Sequence, residues 1–208
     1  MACSWPTSWA CTTYQDSADL TLRESIQLPV NDPLLTISAM AAATRHLGFG
    51  VTVNLTYEAP YLLARRFSTL DHLTHGRVGW NIVTGYLESA ARAMGLSEQI
   101  AHDERYDRAD EFLEVAYKLW EESWDRDAVK ADKRARVYAD PAAVRRVDHQ
   151  GKYYKVQGPP VGTIAAAHAG AVPGRLVRPR PGLRGAPRGM RVRCLLYTSD
   201  AADDSLRV

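Results

Sequence analysis

Apolar positions in the middle of the chain alternate between two spacings, and each spacing predicts an element. "PLLTISAMAAATRHLG", Pro33 to Gly48, has helical apolar period, opens on proline after Asn31 and Asp32, and ends on glycine, so a helix capped at both ends is predicted. "FGVTVNL", Phe49 to Leu55, is β-branched and almost continuously apolar, as a strand covered on both faces requires. The pair of patterns then repeats. Pro60 opens a second helix over "YLLARRFSTLDHLTHG", closed by Gly76, and "RVGWNIVTG", Arg77 to Gly85, predicts a second covered strand. A short helix, "ESAARAMG", ends at Gly95. The longest helix starts at His102 or Asp103, with apolar residues at 106, 109, 112, 113, 116 and 119/120 forming one stripe.

Helix, strand, helix, strand, helix is the rhythm of parallel βα units, whose ligands gather at the carboxyl ends of the strands. That places 52–57 and 81–86 beside a prospective site, because both segments run from apolar strand into the polar "NLTYE" and "NIVTGY". Beyond the longest helix, "WDRDAVKADKRARVYADPAAVRRVDHQGKYYKVQG" is charged and then rich in turn residues. It predicts a surface insertion, about residues 124–158, that ends in a hairpin across "HQGKYYKV".

Composition narrows the class. Hydrophobic content of 46% and charged content of 24% suit a soluble globular protein, and 208 residues allow one sizeable core. No apolar run approaches ~18 residues and no signal-peptide pattern opens the chain, so neither a membrane span nor a membrane partner is expected. Cys3, Cys11 and Cys194 show no metal-ligand or disulfide spacing, which favours a reducing, cytoplasmic setting and no bound metal. The net charge of +2 conceals an asymmetry: residues 159–193 hold seven arginines and no acid, leaving 19 basic against 24 acidic residues, net −5, elsewhere.

Several residues are candidates for chemistry. His102 and Tyr106 lie one turn apart at a helix start, where backbone amides favour negative charge and two side-chain donors would suit a phosphate. The competing reading makes His102 a capping or surface residue and Tyr106 part of the buried stripe. Thr52 and Thr56 are ordinary strand formers apart from their strand-end position. Asn81 lies between Trp80 and Ile82 in an apolar strand, so its amide needs partners from a structural network or from a ligand. Thr84 joins the set through its place at a strand end. His72 and His75 are read as solvent-facing or as favourable charge near a helix carboxyl end. No glycine-rich phosphate loop is present, "GFG" at 48–50 being helix-to-strand punctuation.

Together, "LPVNDPLLTISAMAAATRHLGFGVT", "YEAPYLLARRFSTLDHLTHGRVGWNIVTGY" and "AHDERYDRADEF" resemble the bacterial-luciferase-like flavin monooxygenases. The branch is the one that holds nitrilotriacetate monooxygenase component A and dibenzothiophene-sulfone monooxygenase, and "GWNIVTGYLESAARAMGL" leans towards its sulfone-oxidising members. The resemblance covers roughly residues 14–158. It implies an α/β fold, a (β/α)8 TIM barrel, but 208 residues fall short of the ~250 of a complete barrel, so a partial barrel is expected. It implies reduced FMN (FMNH2) delivered by a separate NAD(P)H:FMN reductase and O2 as co-substrate. A flavin C4a-peroxide would then oxidise a sulfur- or nitrogen-containing small organic compound. Carried across, the family's flavin contacts fall on Thr52, His102 and Tyr106, with Asn81 and Thr84 added by strand-end geometry. No catalytic residue is assigned, and homo-oligomerisation of the intact protein stays open.

Two family segments are missing: an upstream Leu-Ala-Asp with a flavin-contacting Asp, and a downstream Tyr-Gln-Ala-Gly-Ser-Ser. DNA able to encode "SWPTSWACTTY" also reads Leu-Ala-Asp in a neighbouring frame, and DNA able to encode "AAHAGAVPGRLV" reads Gln-Ala-Gly-Ser-Ser. The end, from Cys194 to Asp204, resembles a translated sequencing-library adapter. Residues 1–14 and 159–208 are therefore expected to be out of frame or adapter-derived, with a disordered tail and the barrel fragment at 15–158. As written, the chain is expected to be inactive. The alternatives are a related barrel that uses deazaflavin, and a non-catalytic protein whose arginine-rich tail binds nucleic acid. The leading reading has no nucleic-acid partner.

Overall fold

The computed structural model describes residues 2–5, 22–25 and 31–162, with backbone alone at 2–5. Expectations about residues 163–208, the arginine-rich tail among them, lie outside the described residues. In chain order the elements are β1 (Ala2–Trp5), α1 (Pro33–Ala43), β2 (Gly48–Asn54), α2 (Pro60–Thr74), β3 (Val78–Val83), α3 (Glu88–Ala93) and α4 (His102–Tyr117). A π-helical turn, Lys118–Glu122, and a 3-10 turn, Pro141–Ala143, accompany two hairpins: β4 (Val129–Asp132) with β5 (Val137–Ala139), and β6 (Val147–Gln150) with β7 (Lys155–Gly158).

Strands β1, β2 and β3 form one parallel sheet in that order. The first strand lies inside the segment expected to be out of frame. In β2 the side chains of Phe49, Val51 and Val53 pair in register with Val78, Trp80 and Ile82 of β3, and they pack into the core with Ile37, Leu63, Phe67 and Phe112 from the helices. Alternation places the other residues, Gly50, Thr52 and Asn54 beside Gly79, Asn81 and Val83, on the opposite face. β2 is buried along most of its length as predicted. β3 is buried only in its first half, since Asn81, Ile82 and Val83 are partly open.

The core centres on Trp80, which lies 5.3 Å from Phe67, 6.2 Å from Phe112 and 6.2 Å from Trp120, the last pair perpendicular. Tilted and edge-on pairs of this kind set the positive rim of one ring against the negative face of another. Both indole N–H groups are used: Trp80 donates to the Val53 carbonyl at 3.3 Å and Trp120 to the Ala64 carbonyl at 3.0 Å.

One boundary differs from the sequence pattern for a tertiary reason, and two further residues take parts that the pattern did not predict. α1 opens as predicted, with Asp32 Oδ1 accepting from the Leu34 N–H at 2.9 Å, but it ends at Ala43 and Gly48 starts β2 instead of capping the helix. The guanidinium of Arg77, expected to begin a strand, reaches back to the Ala41 carbonyl at 3.1 Å, the Leu47 carbonyl at 2.8 Å and Thr44 Oγ1 at 3.3 Å. It satisfies one of the helix's terminal carbonyls, that of Ala41, from a distant segment. At the end of α2, His75 takes a backbone part, adopting the left-handed conformation (φ 52°), and Gly76 follows at φ 76° with its N–H on the Asp71 carbonyl. In α4 the stripe's first buried member is Arg105, whereas Tyr106 is only half-buried.

The predicted hairpin across "HQGKYYKV" is β6–β7, in register from Val147↔Gly158 to Gln150↔Lys155. Glu111 of α4 anchors it, accepting from the amides of Tyr153 (3.0 Å) and Tyr154 (2.7 Å) and from His149 Nε2 (3.2 Å). The other ring nitrogen of His149 lies 3.2 Å from the Lys118 ammonium.

Candidate functional site

The candidate residues lie at the carboxyl ends of β2 and β3 and at the amino-terminal end of α4. Thr52 and Asn81 are register partners on the face turned away from the core, and Asn81 Nδ2 donates to Thr52 Oγ1 at 3.0 Å. Two branched residues on adjacent parallel strands, each flanked by apolar neighbours, bring these polar groups together without a loop. Asn81 Oδ1 is buried and has no partner. A polar atom withdrawn from water without a partner costs about 1–3 kcal/mol, so a donor belongs opposite it.

At the strand ends a turn holds this pair in place. The Asn54 side chain accepts from the Thr56 N–H at 2.9 Å, and the Thr56 hydroxyl donates to the Thr84 carbonyl, tying the ends of β2 and β3 together. Thr84 therefore contributes backbone. Gly85 follows at φ +68°, and a Cβ there would lie 2.1 Å from Asn54 Nδ2. Gly85→Ala is expected to cost about 2 kcal/mol from the strained φ and the displaced Asn54. Urea unfolding followed by circular dichroism checks this, and a loss below half that figure would mean the turn re-forms freely.

His102 and Tyr106 come together as their spacing predicts, with ring centroids 4.8 Å apart. His102 is the first residue of α4 and is exposed, and its Nδ1 lies 2.8 Å from Asp103 Oδ1. It does not cap the helix, whose cap position, Ala101, makes no side-chain bond. The two pairs, Thr52 with Asn81 and His102 with Tyr106, thus sit on different elements, and the segment between them is bridged by residues that sequence patterning missed. The Tyr57 hydroxyl donates to Gln99 Oε1 at 2.8 Å, Gln99 Nε2 donates to the Leu87 carbonyl, and Arg105 Nη1 donates to the Ile100 carbonyl at 2.9 Å. Burial pushes the Tyr57 hydroxyl above its ordinary range, against the opposing Gln99 bond and Arg105 charge, so it stays protonated and donating at neutral pH.

Among the described residues the buried side-chain polar atoms that lack a partner are Asn81 Oδ1 and Arg105 Nε. One lies on the sheet and the other at the start of α4, so unmet polar capacity falls on the two elements that the strand-end argument selects. The first of these atoms accepts and the second donates. Among the same residues no group of three or more His, Cys, Asp and Glu could hold a metal ion, and no helix is long and apolar enough to cross a membrane.

Comparison with known proteins adds relatives. The family described as luciferase-like monooxygenase matches residues 8–173. Dimethyl-sulfide monooxygenase of Hyphomicrobium sulfonivorans is 61% identical over 145 residues, 70% of this chain and 30% of that protein. Both members of the branch named from the sequence also match: dibenzothiophene-sulfone monooxygenase of Rhodococcus erythropolis at 52% identity over 62% of this chain and 28% of that protein, and nitrilotriacetate monooxygenase component A of Aminobacter aminovorans at 39% over 62% and 28%. A crystal structure of a long-chain alkane monooxygenase superposes with a TM-score of 0.67 at 54% identity, covering 73% of this chain and 35% of that one. A structure of riboflavin lyase with modified FMN and riboflavin superposes with a TM-score of 0.64 at 47% identity, over 69% and 32%. The chain spans about a third of the length of the curated relatives it matches.

Proposed function

On the premise that the chain belongs to the luciferase-like monooxygenase family, we propose that it is the flavin-binding part of a two-component monooxygenase. The fold is read as a partial TIM barrel over about residues 15–158, and residues 1–14 and 159–208 are read as lying outside the native frame, although β1 of the first segment pairs with β2. Reduced FMN arrives from a separate NAD(P)H:FMN reductase, and the intact protein works in the cytoplasm on a sulfur- or nitrogen-containing small organic compound. When bound, the reduced flavin supplies the reaction with O2 that inserts one oxygen atom into the substrate. Named substrates of the relatives run from dimethyl sulfide to a long-chain alkane and riboflavin, so these names share no substrate group, and the riboflavin lyase structure holds a modified FMN.

This chain's residues bind and orient. Thr52 and Asn81 meet the polar edge of the ligand from the sheet, and His102 with Tyr106 receives its phosphate end at the start of α4. Thr84 holds the strand-end turn through its carbonyl. The observation that carries the reading is the buried, partnerless Asn81 Oδ1 beside Thr52. Asn81→Leu is expected to weaken binding of reduced FMN by about tenfold, the cost of one lost buried hydrogen bond. Anaerobic titration of the parent and the variant checks it, and equal affinities would remove the sheet from the flavin site. Because the chain lacks most of the barrel, substrate turnover by this polypeptide alone is expected to be absent even where flavin binds.

A further inference from the structure

Resting on that reading of the site, we infer that Gln99 is a positioning residue, whose side chain fixes the start of α4 against the strand ends that carry Thr52 and Asn81. The segment that leads into α4 is open to solvent. Residues 92–98 are all exposed, and Gln99 is the first to be half-buried. Its polar groups are nearly all in use. Oε1 accepts from the Tyr57 hydroxyl at 2.8 Å and from the Ile100 N–H at 3.0 Å, and Nε2 donates to the Leu87 carbonyl at 3.1 Å. The backbone N–H donates to Glu88 Oε2 at 3.0 Å. A glutamine amide accepts and donates at once, which neither a carboxylate nor an apolar side chain can do.

Among the described residues no other side chain of 95–101 makes a hydrogen bond, so the placement of this segment falls to Gln99. The backbone bonds on either side act on the neighbouring helices: the Leu96 N–H returns to the Ala91 carbonyl of α3, and the Ile100 carbonyl accepts from Arg105 Nη1 of α4. Of these bonds, only the one from Tyr57 crosses to the sheet. Tyr57 follows Thr56, whose hydroxyl joins the ends of β2 and β3 through the Thr84 carbonyl. Two consecutive residues thus carry the placement from the strand ends to the segment before His102. An exposed connection without such a bond opens at little cost. A ligand that touches both sides would then bind only the aligned fraction, and its affinity would fall with that fraction.

The test uses the whole 208-residue chain with Gln99→Met, Gln99→Glu and Tyr57→Phe. Gln99→Glu keeps an acceptor for Tyr57 and Ile100 but turns a carboxylate on the Leu87 carbonyl and Glu88, so stability falls while the bond to the sheet survives. Urea unfolding reads stability. Anaerobic calorimetric titration with reduced FMN reads the site, repeated for the parent and Gln99→Glu with reduced riboflavin, which has no phosphate for the added carboxylate to repel. Affinity is expected to drop about tenfold in Gln99→Met and Tyr57→Phe and to stay near the parent's in Gln99→Glu, the least stable variant. Affinities that follow the order of stability make Gln99 a local clamp and overturn the inference, as do equal affinities in the parent, Gln99→Met and Tyr57→Phe. Spin labels on Tyr86→Cys and Asp107→Cys, both exposed positions, with Cys3, Cys11 and Cys194 changed to serine, read the placement without ligand. A narrow distance distribution is expected in the parent and Gln99→Glu, and a broadened or shifted one in Gln99→Met and Tyr57→Phe. Distributions alike in all four proteins overturn the inference. If the parent binds neither flavin, the flavin reading fails by itself, and the distances still decide the role of Gln99.

Discussion

Trp80→Ala is expected to lower the stability of the chain by about 3–5 kcal/mol, the range for removing a large aromatic side chain from a closed core. Trp80 is almost wholly buried and lies against Phe67, Phe112 and Trp120, which come from α2, α4 and the turn after α4. Its removal therefore takes the common contact from three helical elements at once, and it also leaves the Val53 carbonyl without the indole N–H. Domains of this size have about 5–15 kcal/mol in total, so the variant is expected to be largely unfolded at moderate urea. Trp80→Phe, which keeps a ring and loses the N–H, should fall well short of that loss. Urea titrations of all three proteins, read by tryptophan fluorescence and circular dichroism, decide the matter. A Trp80→Ala loss under 1 kcal/mol would mean that the sheet and helices do not depend on this contact.

Glu111→Ala carries the second large effect, about 3 kcal/mol, because it strands two part-buried amides and the buried His149 at once. The Tyr153 and Tyr154 amides and His149 all converge on this carboxylate, and Gly151 is needed beside it, since a Cβ there would lie 2.0 Å from Glu111 Oε1. Burial alone pushes Glu111 up, but the two amides and His149 outweigh it and hold the carboxyl below its ordinary range. A carboxyl lowered on folding contributes stability that is fully present above its unfolded value and is lost as pH falls through the folded value. The β6–β7 hairpin should accordingly loosen only in acid, below the ordinary glutamate range, and Glu111→Gln should flatten that acid limb. Stability curves against pH for parent and Glu111→Gln, with hydrogen exchange at Tyr153 and Tyr154 as the local reading, test both parts. An unchanged acid limb in the variant would assign the acid sensitivity to other groups.

Both effects depend on partners far apart in the chain, and the same separation divides what was legible in the sequence from what was not. The parallel βα rhythm, the β6–β7 hairpin and the His102/Tyr106 pairing are visible in the linear order because each depends on residues within one turn or one strand, where the spacings of 3.6 and 2 act directly. Family membership was equally legible, since it resides in runs of residues. The helix boundary at Ala43 was not, because the Arg77 guanidinium that bonds the Ala41 carbonyl arrives from outside the helix. Thr52 looked like an ordinary strand former, and Asn81 like an amide in need of partners. Only the register of β2 on β3 set one opposite the other and left a single buried oxygen unmet. Arg105 reads in sequence as one more charge in "HDERYDR", and only the packing of α4 turned it inward. Local periodicity fixes which residues form helix or strand, since backbone sterics and apolar spacing act over a few residues. Which polar groups stay without partners is decided when distant elements pack and water is excluded, because only then do side chains far apart in the chain meet.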